Sequence, residues 1–313
     1  MLTELKCVNW TVLIIGKFTM IKKYDYLCKM NDLLLTKECS HNTMKYKFIF
    51  IYIVIALYGC SSDNYYPEII SGNIQKYTIF YGEYSKNQLD IYTTNTTAYA
   101  PVVVFIHGGG WYSGDKSDWN LPQIKCFAQR HYVSISMNYR LTPEVTHPQH
   151  IQDVAQAIKW IEQHIKKYGG DSSNLILIGH SAGAHLAALA VTNQKYLKQA
   201  SANIQHIKVV YLLDAGAYLN MDTLIGENPS ISTLVQNAIG TTQLKYDFTP
   251  YNFISKNKYY PKFYLIHSDN PYRSQANALF KKELDKNNIY NEEHTLTGYS
   301  HSDILKMFPS YLQ

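Results

Sequence analysis

Cysteine is scarce where it could matter. Of five cysteines, Cys7, Cys28 and Cys39 lie upstream of Met44, Cys60 sits at a polar break, and Cys126 alone remains in the body of the chain. No internal disulfide can form there, and no Cys/His spacing suggests a zinc site. Charge is sparse too, at 17% of residues. The net excess of +5 comes from scattered lysines, partly clustered near the N-terminus, with no basic stripe interleaved with stacking aromatics. That argues against a nucleic-acid partner. Internal repeats and low-complexity tracts are missing. What remains is 46% hydrophobic, the composition of a globular protein. The 28 tyrosines are abundant, but their placement reads as packing.

The sequence has one extended apolar run, Phe48 to Tyr58, too short to span a bilayer as a helix. Met44-Lys45-Tyr46-Lys47 makes a basic start before it, and Gly59-Cys60-Ser61-Ser62-Asp63 a polar break after it. This is the pattern of a signal peptide. Leu57-Tyr58-Gly59-Cys60 resembles the bacterial lipobox, which implies lipidation of Cys60 and a membrane anchor through it. Ser61 in the next position resembles the sorting pattern for the outer membrane, so the expected location is the cell envelope. On this reading residues 1–43 are an over-extended N-terminus, 44–59 the signal peptide, 60–76 a linker and 77–313 the folded domain. The alternative for the apolar run is a buried strand preceding the domain.

Within that domain the expected elements alternate. Tyr77 to Gly82 and Gln88 to Tyr92 read as an opening antiparallel pair. Pro101 to Ile106, Tyr132 to Met137, Asn174 to Ile178, Ile207 to Leu213, Phe263 to His267 and Glu292 to Leu296 read as strands. Helices are expected over Leu121 to Arg130, Ser274 to Lys286 and His301 to Met307. Another covers Ile151 to Lys167, where Val154, Ile158, Ile161 and Ile165 share one face. Alternation with crossover-length connections predicts an α/β fold whose sheet is mainly parallel, with helices on both faces. Gly216 to Ile254 lacks strong periodicity and reads as a small lid or loop insertion.

Asn174 to Ala190 organises the chain. A β-branched run leads without a gap into Gly179-His180-Ser181-Ala182-Gly183, followed by small residues and leucines at helical spacing. Strand, G-x-S-x-G and helix in succession are what a nucleophile elbow requires. The turn is tight enough that a side chain at position 179 or 183 would strike backbone, and Ser181 would stand clear of the sheet in a strained conformation.

Three stretches together resemble the α/β-hydrolases of the HGGG carboxylesterase and kynurenine formamidase-like group. They are His107-Gly108-Gly109-Gly110-Trp111 with Gly114-Asp115-Lys116 behind it, Asn138-Tyr139-Arg140, and Gly179 to His185. Gln88 to Tyr92 resembles the strand that opens such domains, and no G-K-[ST] follows the glycine run as a phosphate loop would need. The resemblance implies a serine hydrolase for a small-molecule ester, needing neither metal nor cofactor. Ser181 would be the nucleophile, with the N–H groups of Gly109, Gly110 and Ala182 as the oxyanion hole. His301, after the last strand, would be the base. His294 lies inside that strand, and His180 and His185 read as packing residues beside the elbow. The orienting acid is expected at Asp269, after the penultimate strand and ahead of Tyr272-Arg273-Ser274-Gln275, although this stretch is shorter than the family's His-Gly-x-x-Asp loop. Asp214 could serve only if the acid had moved to an earlier strand, and Asp303 adjoins His301 too closely on one helix. The reaction implied is hydrolysis of carboxylic esters of small or medium acyl groups. An arylformamidase, or an inactive hydrolase fold used for binding, are the alternatives.

Overall fold

The computed structural model describes residues 68–71, 73–94, 98–119, 121–218, 229–240 and 244–308, all within the compact unit Tyr65–Gln313. The signal peptide, Cys60 and residues 1–43 lie outside the described residues. A nine-stranded sheet in the order β1-β2-β3-β5-β4-β6-β7-β8-β9 forms the body. Strands β1 (Glu68–Ser71), β2 (Ile74–Phe80) and β3 (Gln88–Thr93) form an antiparallel ribbon, and β3 joins β5 (Val133–Met137) antiparallel. From β5 onward every pairing is parallel, through β4 (Ala100–Ile106), β6 (Gly170–His180), β7 (Ile207–Leu213), β8 (Lys262–Ser268) and β9 (Asn291–Leu296). This is the expected mainly parallel α/β sheet.

Two boundaries differ from expectation. The first described strand starts at Glu68, inside the stretch read as linker, and Ser71 pairs with Ile74 in a hairpin. The intervening Gly-Asn is itself a hairpin signal in sequence. The stretch from Gly216 to Ile254, read as a small lid or loop insertion, is largely helical in its described residues. Its described part holds α5 (Pro229–Ile239), α6 (Lys245–Phe248) and a short 3₁₀ turn, Pro250–Phe253, and buries Val235, Ala238, Ile239 and Phe248.

Helices cover both faces because each has an apolar side to hide. Helix α2 (Gln149–His164) presents Ile151, Val154, Ile158 and Ile161 as one buried stripe. Helix α3 (Ala182–Thr192) is buried all round, and its alanines let it lie close to the strands it crosses; the short α4 (Lys195–Gln199) follows it. With Phe280 and Leu284 of α7 (Pro271–Lys286), these helices build the larger core. Ile124 and Phe127 of α1 (Leu121–Gln129) and Ile304 of α8 (His301–Met307) pack the opposite face with Phe105 and Ile178. Truncating a fully buried residue such as Ile158 to alanine should cost about 2–5 kcal/mol. Among the described residues no helix is long and apolar enough to cross a membrane.

The topology also locates the site. The chain leaves β4 for β5 on one side and returns to β6 on the other. The carboxyl ends of β4 and β6 therefore flank a switch point, the place where parallel sheets open a crevice.

Candidate active site

Ser181 follows β6 directly and has φ 54° and ψ −117°, a conformation that a residue with a side chain rarely adopts. Local crowding enforces it. A Cβ on Gly179 would lie 2.3 Å from the carbonyl oxygen of Gly183, and one on Gly183 would lie 2.1 Å from that of Ile106. Only glycine fits at either place. The Ser181 N–H donates to the Leu213 carbonyl at 2.8 Å, tying the turn to β7. Helix α3 starts at the next residue, so the Ala182 N–H belongs to a first turn that has no intrahelical acceptor.

His301 arrives from the far edge of the sheet, at the start of α8. Ser300 caps that helix and Asp303 closes a capping box with it, so Asp303 is spent on the helix terminus. The His301 Nε2 lies 3.0 Å from Ser181 Oγ, and its Nδ1 lies 2.6 Å from Asp214 Oδ2. With Nδ1–H donating to Asp214, Nε2 is free to accept from the Ser181 hydroxyl. His180 holds the imidazole from behind. The two rings stack at 4.5 Å, and His180 Nε2 donates to the His301 carbonyl oxygen at 3.0 Å. Burial, then the neighbouring His301, push the His180 pKa down to about 3, so it stays neutral.

The acid is the main correction. Asp214, not Asp269, faces His301. Asp269 is exposed on the surface, and its Oδ2 accepts the Gly298 N–H at 3.1 Å. The cause is the length of the β8–α7 connection. β8 ends at Ser268 and α7 starts at Pro271, with Asn270 capping it, so Asp269 has no loop on which to reach the imidazole. Asp214 directly follows β7, one strand closer to the elbow, and is wholly buried with φ 52°. Its Oδ1 accepts the Ser268 N–H at 2.7 Å and the Ser268 hydroxyl at 2.9 Å. Its Oδ2 also meets Arg273 Nε at 3.3 Å. Burial pushes the Asp214 carboxyl up, but the hydrogen bond from His301, the Arg273 charge and the Ser268 N–H together hold it below the usual carboxylate range.

The glycine run after β4 lies against the elbow. A Cβ on Gly108 would come within 3.1 Å of Ser181 Cβ. Gly109 and Gly110 take φ of +96° and +60°, which bends the chain into a turn closed by Tyr112 and Ser113 N–H groups on the Gly109 carbonyl. The Asn138-Tyr139-Arg140 stretch braces this loop, with each residue reaching a different place. Asn138 accepts the Lys116 N–H and donates to Asp115 at 2.8 Å. The Tyr139 hydroxyl donates to the His107 carbonyl at 3.0 Å while its ring stacks on the His107 ring. Arg140 forks onto Asp153 of α2, with Nη2–Oδ1 at 2.6 Å and Nε–Oδ2 at 2.9 Å. Lys116 also pairs with buried Asp90 at 2.9 Å.

Gly109, Gly110, Ser181, Ala182 and His301 all line one cavity of about 770 Å³. Ile231 and Leu234 of α5 form an apolar wall there, and Arg273 lines it too. Sequence reasoning missed α5, Arg273 and the grip of His180 on His301. His185 packs as expected, donating to the Phe248 carbonyl beside Trp111. His294 is exposed and pairs with Glu292 at 3.6 Å. Among the described residues no group of His, Cys, Asp or Glu is arranged to hold a metal.

A family model described as BD-FAE matches residues 89–282. The probable carboxylic ester hydrolase LipM of Mycobacterium tuberculosis is 31% identical over 208 residues, which are 61% of this chain and 47% of that protein. The isoprenylcysteine alpha-carbonyl methylesterase ICME of Arabidopsis thaliana is 35% identical over 144 residues, 44% of this chain and 34% of that protein. The chain thus spans about half or less of the length of these two relatives. Among solved structures, esterase B from Lactobacillus rhamnosis superposes with a TM-score of 0.65 at 21% identity, covering 86% of this chain and 90% of that one. Esterase 2 from Thermogutta terrifontis gives 0.60 at 22% identity, covering 76% and 93%. These likenesses are of fold, the α/β-hydrolase fold.

Proposed function

The chain belongs to the BD-FAE family, and from that premise we propose that it is a serine hydrolase cleaving carboxylic esters of small or medium acyl groups. One observation carries the reading: the hydrogen-bonded chain from Ser181 through His301 to Asp214, at the wall of a cavity bordered by the glycine run. Relatives named as a carboxylic ester hydrolase and a methylesterase support the reaction class.

On this reading the Ser181 oxygen attacks the ester carbonyl while His301 Nε2 takes its proton. Asp214 stabilises the imidazolium that results. Charge on the carbonyl oxygen is met by the N–H groups of Ala182, Gly109 and Gly110, with the start of α3 adding its dipole. The tetrahedral adduct collapses, the alkoxide leaves with the proton from His301, and the acyl group stays on Ser181. Water, deprotonated by His301, then releases the acid and restores the serine. The apolar wall of Ile231 and Leu234 supports a short acyl or alkyl group beside the nucleophile. The test is an activity profile over p-nitrophenyl esters of graded chain length, beside an aryl formamide. Turnover should be highest for the short esters. A preference for the formamide, or no turnover of any ester, would overturn the reading.

Anchoring at Cys60 is a second part of the proposal, supported by the basic start, the apolar run and the Gly-Cys break. A lipidated Cys60 would hold the enzyme on the cell envelope. Cys60→Ser should abolish lipid labelling and release the protein from membranes; equal labelling of wild type and variant would contradict it.

A further inference from the structure

Arg273 lies outside the Ser–His–Asp chain yet touches it. It stands in the first turn of α7, where a cation opposes the helix dipole, so its placement has another cause. Its Nη1 donates to the Asp214 carbonyl oxygen and its Nε meets Asp214 Oδ2 at 3.3 Å. One rigid fork therefore grips both the main chain and the carboxylate of a residue in a left-handed conformation. His301 Nδ1 meets that same Oδ2 at 2.6 Å, so the two nitrogens lie within about 6 Å of each other. Resting on the hydrolase reading above, we propose that Arg273 is a positioning residue: it clamps Asp214 and, by its charge, opposes protonation of His301, which sets the lower pH limit of activity.

Among the described residues Arg273 is the fixed cation in contact with this carboxylate. His180, on the elbow side, is neutral. Tyr218 after β7 and Tyr272 on α7 face the guanidinium as uncharged phenols, held so by burial. Ser268 from β8 contributes dipoles only, and Asp118 is an acid that lines the cavity. The Arg273 side chain is 15% exposed, and the Asp214 carboxylate is fully covered. A buried carboxylate with a fixed cation on the oxygen that faces the imidazole stays ionised. It also attracts an imidazolium less strongly than a lone carboxylate would, so removing the cation should move the acid limb of activity upward.

The experiment compares wild type, Arg273→Gln and Arg273→Lys. Hydrolysis of neutral p-nitrophenyl acetate is followed over roughly pH 5 to 9, beside the rate of Ser181 phosphonylation by a neutral fluorophosphonate, read by mass spectrometry. In Arg273→Gln the acid limb of both profiles should move up by roughly one pH unit or more. Its plateau kcat should fall about tenfold with KM changed less than about twofold. Arg273→Lys should restore the limb, because the charge returns, but not the plateau, because an ammonium cannot fork onto both oxygens. A folded Arg273→Gln with an unmoved limb would overturn the proposal. So would an effect confined to KM, which would make Arg273 a substrate contact. If Arg273→Gln does not fold, a full plateau kcat in Arg273→Lys overturns the clamp by itself. No labelling of Ser181 in the wild type would instead count against the hydrolase reading.

Discussion

The turn after β6 and the turn after β8 stand on the same edge of the sheet with only β7 between them, yet they are built under opposite constraints. The first is buried, left-handed at Ser181, and hemmed in so closely that its two glycines admit no Cβ. The second is exposed, two residues long, and ends in an ordinary Asn270 cap. The proposed nucleophile sits on the over-determined turn. Asp214 follows the same rule, being left-handed and saturated with donors from Ser268, His301 and Arg273. Asp269, in the exposed turn, is left on the surface with the Gly298 N–H as its partner.

That contrast can be broken by substitution. Ser181→Ala should lower kcat by about 10⁴-fold or more while leaving the melting temperature nearly unchanged, measured with p-nitrophenyl acetate and calorimetry. Retained turnover would sink the elbow as the reactive turn. Gly183→Ala should damage the fold itself, since the added carbon meets the Ile106 carbonyl. A cost of about 3 kcal/mol predicts a drop of roughly 10 °C in Tm, whereas Asp269→Ala in the exposed turn should shift Tm by under about 2 °C. Equal shifts would erase the distinction.

A smaller, graded effect should come from acid. Burial pushes His180 and His185 down to about 3, and His147 and His150 to about 4, from an ordinary value of 6.5. Below pH 6.5 the unfolded chain takes up protons that these sites in the fold refuse. Stability from this source is therefore complete above that pH and declines as pH falls toward 4. Asp214, with a lowered pKa, loses its contribution only at still lower pH. Tm should fall steadily from about pH 6.5 to 4; a flat profile would mean that the four histidines are not held neutral.

The elbow was legible in sequence because its cause is local: Gly179, Ser181 and Gly183 are forced by contacts within a few positions and with the adjoining strand. His301 was legible by its order after β9, and the parallel sheet by alternation. The acid was not, because choosing between Asp214 and Asp269 depends on how far each strand end stands from the imidazole. The shortened stretch before Pro271 was the available signal. Helix α5 was readable and overlooked: Ile231, Leu234, Val235, Ala238 and Ile239 fall at helical spacing, but the β-branched residues and serines among them blurred the pattern. Arg273 had no sequence signal, since its partner is a main-chain oxygen and a carboxylate on another strand.

The central claim is that the acid stands directly after β7, at Asp214. Its most direct test is kcat/KM for Asp214→Asn and Asp269→Asn measured side by side on one neutral ester, with folding checked by circular dichroism. Asp214→Asn should lose about 10³- to 10⁴-fold, through the wrong imidazole tautomer, and Asp269→Asn should stay within about threefold of wild type. A nearly active Asp214→Asn beside a dead Asp269→Asn would contradict the account.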